Sequence, residues 1–275
     1  MRKYLLHTLY STLSICSLSL LVFCAACTEQ DGLPSADPQP LTLAISETVP
    51  FVEVTGNSNT RIADSGTTLT WENGDKIYLA ATITLNGTTT YAYSTATYTI
   101  SGSTGTWSDP DPALSVPSGA TVKIEAIYAN GTLSGNIMAL TEKNIVMKAT
   151  STNITITAST AAIPLKFKSE LVRLDVTGIS NTNTALANID IPQSIDTQPA
   201  NGSFSITHAI VGSAKELTTN EVYYVFPGSI TFMAKNPPKL VQILYSDVVA
   251  NQSYPIDMGP DSGTIRPDGD PFVKP

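Results

Sequence analysis

The chain is poor in the residues from which most reactive centres are built. Its 275 residues include 3 cysteines and 2 histidines. Cys16, Cys24 and Cys27 all lie upstream of Thr28, in a stretch that reads as a leader. Once that leader is removed, no disulfide framework and no thiolate metal site can form. His7 goes with it, so His208 is the one histidine of the mature chain. Clustered imidazole ligands are thereby excluded, and triads and histidine acid catalysis nearly so. Basic residues are scarce as well: 15 Lys and Arg stand against 23 Asp and Glu, and losing Arg2 and Lys3 leaves 13 against 23, a mature charge of −10. Nucleic acid is not a partner for such a chain, and charge of this sign favours solubility rather than adhesion to anionic surfaces.

Other signals are missing too. Glycine or proline interrupts nearly every candidate helical window, so no sustained amphipathic stripe survives. No short fixed repeat appears, which argues against propellers and solenoids. There is no phosphate-cradling glycine loop and no HExxH pair, and no cofactor is expected. A carboxylate pair or a Ser-Lys arrangement is the catalytic inventory that remains. Glu53, Glu72, Glu125, Glu142, Glu170, Glu216 and Glu221 are scattered one per segment, as solvent-facing strand charges are. The chain is not expected to be an enzyme.

The N-terminus carries Arg2 and Lys3, then an apolar stretch from Leu13 to Phe23, then Ala25, Ala26 and Cys27. That is the order of a secretory signal. A retained membrane helix would need about 20 predominantly apolar residues, and this stretch is shorter and broken by serines. A cysteine directly after two alanines resembles the lipobox of bacterial lipoproteins. The resemblance implies cleavage after residue 26, diacylation of Cys27 and anchoring in an outer membrane. Residues 27–40, with Glu29, Asp31, Gly32, Pro34, Asp37, Pro38 and Pro40, read as a flexible tether. Acidic residues just behind the lipidated cysteine resemble the surface-export signals of some Bacteroidetes lipoproteins.

From Leu41 onward the apolar period is two. Leu41, Leu43 and Ile45; Ile77 and Leu79; Val122, Ile124 and Ala126; and Ile154 and Ile156 each alternate with polar or small residues. Such alternation buries one face of a strand and wets the other. Asn73-Gly74, Asn86-Gly87, Asn130-Gly131 and Asn201-Gly202 fall between the runs, where each can supply the positive φ angles of a tight turn. The fold class is all-β, built as sandwiches. Leu165 and Phe167 are odd-numbered whereas Val172, Leu174 and Val176 are even, so a bulge or bend is expected at Ser169-Glu170-Leu171. The polar 150–160 stretch and Pro164 place a domain boundary near residue 162, giving domains 41–161 and 162–275; one large sandwich is the alternative.

Binding signals are few. Aspartate-rich turns at Asp109-Pro110-Asp111, Asp257 to Asp261 and Asp268-Gly269-Asp270 offer oxygen ligands, yet turns are made of these residues anyway and no EF-hand register is present. Tyr91 and Tyr93, on one face of one strand, could stack on a sugar or simply cover a sheet.

Thr60-Arg61 followed by Thr70-Trp71-Glu72-Asn73-Gly74-Asp75-Lys76-Ile77 resembles the signature of the fimbrillin-like lipoproteins of Bacteroidetes, the subunits of type V pili. Pro164-Leu165-Lys166-Phe167-Lys168 with Leu171, Leu174 and Val176 resembles the opening strand of that family's second domain. Tyr223-Tyr224-Val225-Phe226-Pro227 resembles its late strand. The resemblance implies two transthyretin-like β-sandwich domains, export as a lipoprotein, and polymerisation after an arginine-specific protease removes the first strand. Here that strand is Leu41 to about Val54, and Arg61 is the nearest arginine downstream. Other fimbrial subunits are the implied partners, along with a host or bacterial surface ligand. The chain departs from the stalk pattern at residues 265–275, where Pro267, Pro271 and Pro275 replace a long alternating strand. Proline cannot donate to a ladder, which favours a tip or accessory position. The competing reading is a monomeric surface lipoprotein that binds glycans.

Overall fold

A computed structural model describes residues 38–46, 48–53, 69–157, 160, 162–178, 185–216, 221–228, 230–235, 238–243 and 248–257. The described residues from Pro38 onward group as one compact unit. Among the described residues the regular structure is all strand, as β-branched and tyrosine-rich alternation demands.

The largest sheet has seven strands. Its main path runs Lys168–Ser169, Val146–Thr150, Thr121–Ala129, Lys76–Leu85, Thr88–Ser101 and Thr104–Trp107, with Ile154–Thr155 also paired to Thr121–Ala129. Lys76–Leu85 is central, antiparallel to both neighbours. Asn86 (φ 51°) and Gly87 (φ 77°) turn it directly into Thr88–Ser101, the two-residue hairpin expected of Asn-Gly. Asn130-Gly131 behaves differently. The strands on its two sides do not pair with each other, and its glycine is needed because a Cβ there would lie 2.4 Å from the Ala139 carbonyl oxygen.

Both faces of this sheet are covered at one end. Ile77, Leu79, Ala81, Val122, Ile124 and Ala126 form one core together with Val116, Ile156, Ile163, Leu165 and Phe167. Tyr78, Ala80, Ile127 and Val146 form another with Met138, Leu140, Leu171, Ile195 and Phe204. The alternation read from the sequence is therefore real, but the face expected to be wet is dry along its middle, at Tyr78, Ala80 and Ile127. Expecting every glutamate to face solvent also fails. Glu125, on that second face, is buried, and it accepts hydrogen bonds from Lys148 (3.1 Å), Lys123 (3.2 Å), the Ser203 hydroxyl and the Phe204 N–H. Glu142 is buried too. A carboxylate can be buried when lysines and backbone donors replace its water.

A six-stranded sheet contains Thr132–Ser134, Ile137–Ala139, Ala185–Asp196, Ile206–Glu216, Ile230–Lys235 and Pro238–Ile243. A four-stranded one runs Glu221–Val225, Val172–Thr177, Gln252–Asp257, Val52–Glu53, its last two pairings parallel. The phase change at Ser169-Glu170-Leu171 is where the chain leaves the seven-stranded sheet and enters the four-stranded one. Ser169 ties the corner, its hydroxyl accepting from Leu171 N–H and its N–H donating to Asn251 Oδ1. Pairings cross residue 162: Lys168–Ser169 with Val146–Thr150, and Ile137–Ala139 with Ala185–Asp196.

Candidate functional site

The first strands of the described chain are held by partners far away in sequence. Gln39–Pro40 lies antiparallel to Ser115–Val116, and Leu41 N–H donates to the Leu114 carbonyl at 2.8 Å. Leu43–Ile45 runs parallel to Ile163–Leu165. Ile163 N–H donates to the Thr42 carbonyl (2.8 Å), and Ser46 N–H returns a bond to the Leu165 carbonyl (3.0 Å). Val49 N–H reaches the Phe167 carbonyl at 2.7 Å, while Val52–Glu53 adds a short parallel edge to Gln252–Ser253. The expected single strand from Leu41 to Val54 is thus two short strands as far as Glu53, preceded by a third at Gln39–Pro40, with Val54 outside the described residues. Pro40 ends that one, and Pro50, without an N–H, interrupts the run to Val52–Glu53.

Side chains follow the period-two reading. Leu41 (6% exposed) and Phe51 (3%) are buried, and Leu43 and Ile45 pack half-buried on the same core. The same core contains Ile163, Leu165 and Phe167, each at most 1% exposed. The Phe51 ring sits 6.0 Å from that of Tyr224. Burial pushes the Tyr224 hydroxyl pKa up, against the opposing pull of the Arg173 guanidinium. Phe167 continues into an aromatic cluster: Trp71 meets it edge-on at 5.3 Å, with Tyr128 at 5.3 Å and Trp107 at 4.9 Å.

The Trp-Glu-Asn-Gly-Asp motif builds this cluster. Asp75 Oδ2 accepts from Glu72 N–H at 2.7 Å, closing the turn, and Oδ1 accepts the Tyr128 hydroxyl at 2.9 Å. Burial, then that carboxylate, push the Tyr128 pKa up. The Trp71 indole N–H is buried with no hydrogen-bond partner among the described residues. Thr48 donates its hydroxyl to the Leu69 carbonyl, joining the first strands to the segment before this motif.

Asn251 is the residue of the site that sequence reasoning missed. It holds φ 64°, donates its side-chain amide to the Pro50 carbonyl at 2.8 Å and accepts from Ser169 N–H at 3.0 Å. Its place in the turn before Gln252–Asp257 was the available signal, since asparagine tolerates positive φ. Cys27 and Arg61, the lipidation and maturation residues expected from the sequence, both lie outside the described residues, as does the proline-rich 258–275 end. Tyr93 is committed internally, its hydroxyl donating to the Pro199 carbonyl, whereas Tyr91 stays 43% exposed. His208 is half-exposed, 2.8 Å from Asp190 and stacked on Phe226. No group of three His, Cys, Asp or Glu among the described residues could hold a metal ion, and they contain no helix long and apolar enough to cross a membrane.

No protein-family model and no curated protein matches the chain. Among solved structures, it is similar to a proposed cell adhesion protein from Bacteroides uniformis (15% identity, 71% of this chain and 91% of that one, TM-score 0.43). A fimbrial assembly protein from Parabacteroides distasonis shares 12% identity over 70% of this chain and 86% of its own, with TM-score 0.41. A fimbrial protein from Bacteroides ovatus shares 12% over 83% of this chain but only 50% of its own length, with TM-score 0.37. All three likenesses are remote.

Proposed function

We propose that the chain is a structural or adhesive subunit of cell-surface fimbriae, at a tip or accessory position. In this reading it is exported as a lipoprotein anchored through Cys27 in the outer membrane, and assembled when its first strand is lost and a neighbouring subunit's strand takes the seat. The observation that carries the reading is the seat itself. Residues 39–53 enter as short added strands with apolar side chains in the main core, and among the described residues they are the one strand partner of Ser115–Val116 and of Ile163–Leu165. Their loss bares Ile163, Leu165 and Phe167 and frees a row of backbone groups, which an extended segment can cover. The same proposal divides the chain into two transthyretin-like sandwiches, 41–161 and 162–275.

The test is arginine-specific proteolysis of the full chain and of Arg61→Ala, with N-terminal sequencing, unboiled gel electrophoresis and tryptophan fluorescence. Both tryptophans, Trp71 and Trp107, belong to the cluster beside Phe167, so strand loss should change their emission. Cleavage after Arg61, absent in Arg61→Ala, followed by a ladder only when another subunit is added, is the expected result. A ladder from this chain alone would make it a stalk subunit. Resistance to cleavage would overturn the assembly reading in favour of a monomeric glycan-binding lipoprotein.

A further inference from the structure

The four Asn-Gly pairs look alike in sequence but differ in whether their reacting atoms are free. Asparagine before glycine can lose its amide by ring closure. The glycine backbone nitrogen attacks the asparagine Cγ, the Cγ–Nδ2 bond breaks, and ammonia leaves with the proton lost from nitrogen. Water then opens the succinimide at one of its two carbonyls, leaving aspartate or isoaspartate. The sequence of steps is redox-neutral, and water is the co-reactant.

Three of the pairs are restrained. Asn73 Oδ1 accepts from Ile100 N–H at 2.8 Å, and the Gly74 N–H, the would-be nucleophile, is bonded to the Tyr98 carbonyl at 2.8 Å. Asn201 Oδ1 accepts from Ser203 N–H at 3.1 Å, and Gly202 N–H is held by the Pro199 carbonyl at 2.9 Å. Asn130 Oδ1 accepts from Ile145 N–H at 2.8 Å and from the Asn144 amide at 3.4 Å. The Gly74 and Gly202 N–H bonds must break before those nitrogens can attack, and the Oδ1 bonds resist the side-chain rotation that brings Cγ to the nitrogen; breaking one net hydrogen bond slows the step by about fivefold.

Asn86-Gly87 has neither restraint. Among the described residues no hydrogen bond reaches the Asn86 side chain or the Gly87 N–H. Both residues are exposed, and a Cβ built on Gly87 would meet nothing within 4 Å. The pair caps a two-residue hairpin at the tip of the central strands, and hairpin tips open locally far more easily than sheet interiors do. We infer that Asn86-Gly87 is a spontaneous deamidation site of the folded chain, and that the fold protects the other three pairs. Each conversion adds one negative charge at the hairpin tip, and the isoaspartate product inserts an extra backbone carbon into a turn that has room for just two residues. The inference is independent of the fimbrial reading.

The experiment incubates the folded full chain in mildly alkaline buffer and follows all four pairs by peptide mapping, with a second sample held unfolded in urea. In the folded chain the Asn86 peptide should convert to an aspartate and isoaspartate mixture at least about fivefold faster than the peptides carrying Asn73, Asn130 or Asn201. In urea the four rates should come together. Equal rates in the folded chain, or faster conversion at any of the other three, would overturn the inference. So would a gap that persists unchanged in urea, because it would then belong to the local sequence and not to the fold.

Discussion

Lys76–Leu85 and the 39–53 segment are both strands in contact with the same core, yet they are held in opposite ways. The first pairs over ten positions with Thr88–Ser101 and over eight with Thr121–Ala129, and its first partner follows immediately through the Asn86-Gly87 turn. The second makes pairings of two, three and two positions, to residues as distant as Asn251, 201 positions from Pro50. Local pairing forms early and cheaply in loop entropy, whereas distant pairing waits until its partners are in place. Lys76–Leu85 is therefore expected to pair early and the 39–53 segment to dock late.

That contrast can be broken by truncating one anchor on each side. Leu79, fully buried on the central strand, should cost about 3–5 kcal/mol as Leu79→Ala, read as a lowered urea midpoint for the whole chain. Phe51→Ala removes an equally buried side chain and should cost a comparable total of about 3 kcal/mol. Its signature should differ: faster hydrogen exchange at the amides of Ile163 and Ser46, with the amides of Lys76–Leu85 still protected. If Phe51→Ala loosens the central strand to the same degree, the segment is an integral part of the sheet and the contrast fails.

Glu125 sharpens the comparison from the other side, because it fastens the loop carrying Ser203 and Phe204 to the permanent sheet. Loss of water alone would raise its pKa. Hydrogen bonding and charge from Lys148, with hydrogen bonds from Lys123 and Ser203, overcome that and hold it below the ordinary 4.5. A depressed folded pKa means the stability is present above the unfolded value and is lost as pH falls through the folded one. Glu125→Gln should cost about 1.5–3 kcal/mol near neutrality, with the gap from the unsubstituted chain narrowing below pH 4.5. Urea midpoints at neutral and acid pH measure this, and a penalty that stays constant with pH would assign the loss to shape instead of charge.

Much of this was legible in the sequence, and the exceptions have physical causes. Period-two alternation identifies Leu41, Ile77, Leu79 and Ile124 as core residues because one face of a strand must go somewhere dry. The Asn86-Gly87 hairpin follows from two residues that tolerate positive φ, and the shift between Phe167 and Val172 marks a true change of sheet. What alternation cannot say is whether a second layer arrives on the other face. Tyr78 and Ile127 look like the wet side until Phe204 and Ile195, distant in sequence, cover them. Glu125 was misread for the same reason: its lysine partners are near, but Ser203 and Phe204 are not. The seat of the first strands was half visible. Its apolar members announced themselves, while the parallel partner at Ile163–Leu165 and the clamp at Asn251 are facts of topology that no local pattern encodes.

Asn251 gives the finest test of the comparison, since one side chain touches both regions. Its amide group holds Pro50 in the added segment, and its carbonyl holds the Ser169 corner of the permanent fold. Asn251→Gly keeps the positive φ without strain and removes both bonds, at an expected cost of about 1–2 kcal/mol. Asn251→Asp separates the two roles: an oxygen remains to accept from Ser169, but the Pro50 carbonyl loses its donor and faces a carboxylate. Hydrogen exchange should then quicken at Val49 and across Gln252–Ser253 while the Ser169 amide stays slow, whereas Asn251→Gly should quicken both. Equal loosening of Ser169 in the two variants would mean that the corner and the added segment move as one body, and the first strands could then not leave without opening the sheet switch that the rest of the chain depends on.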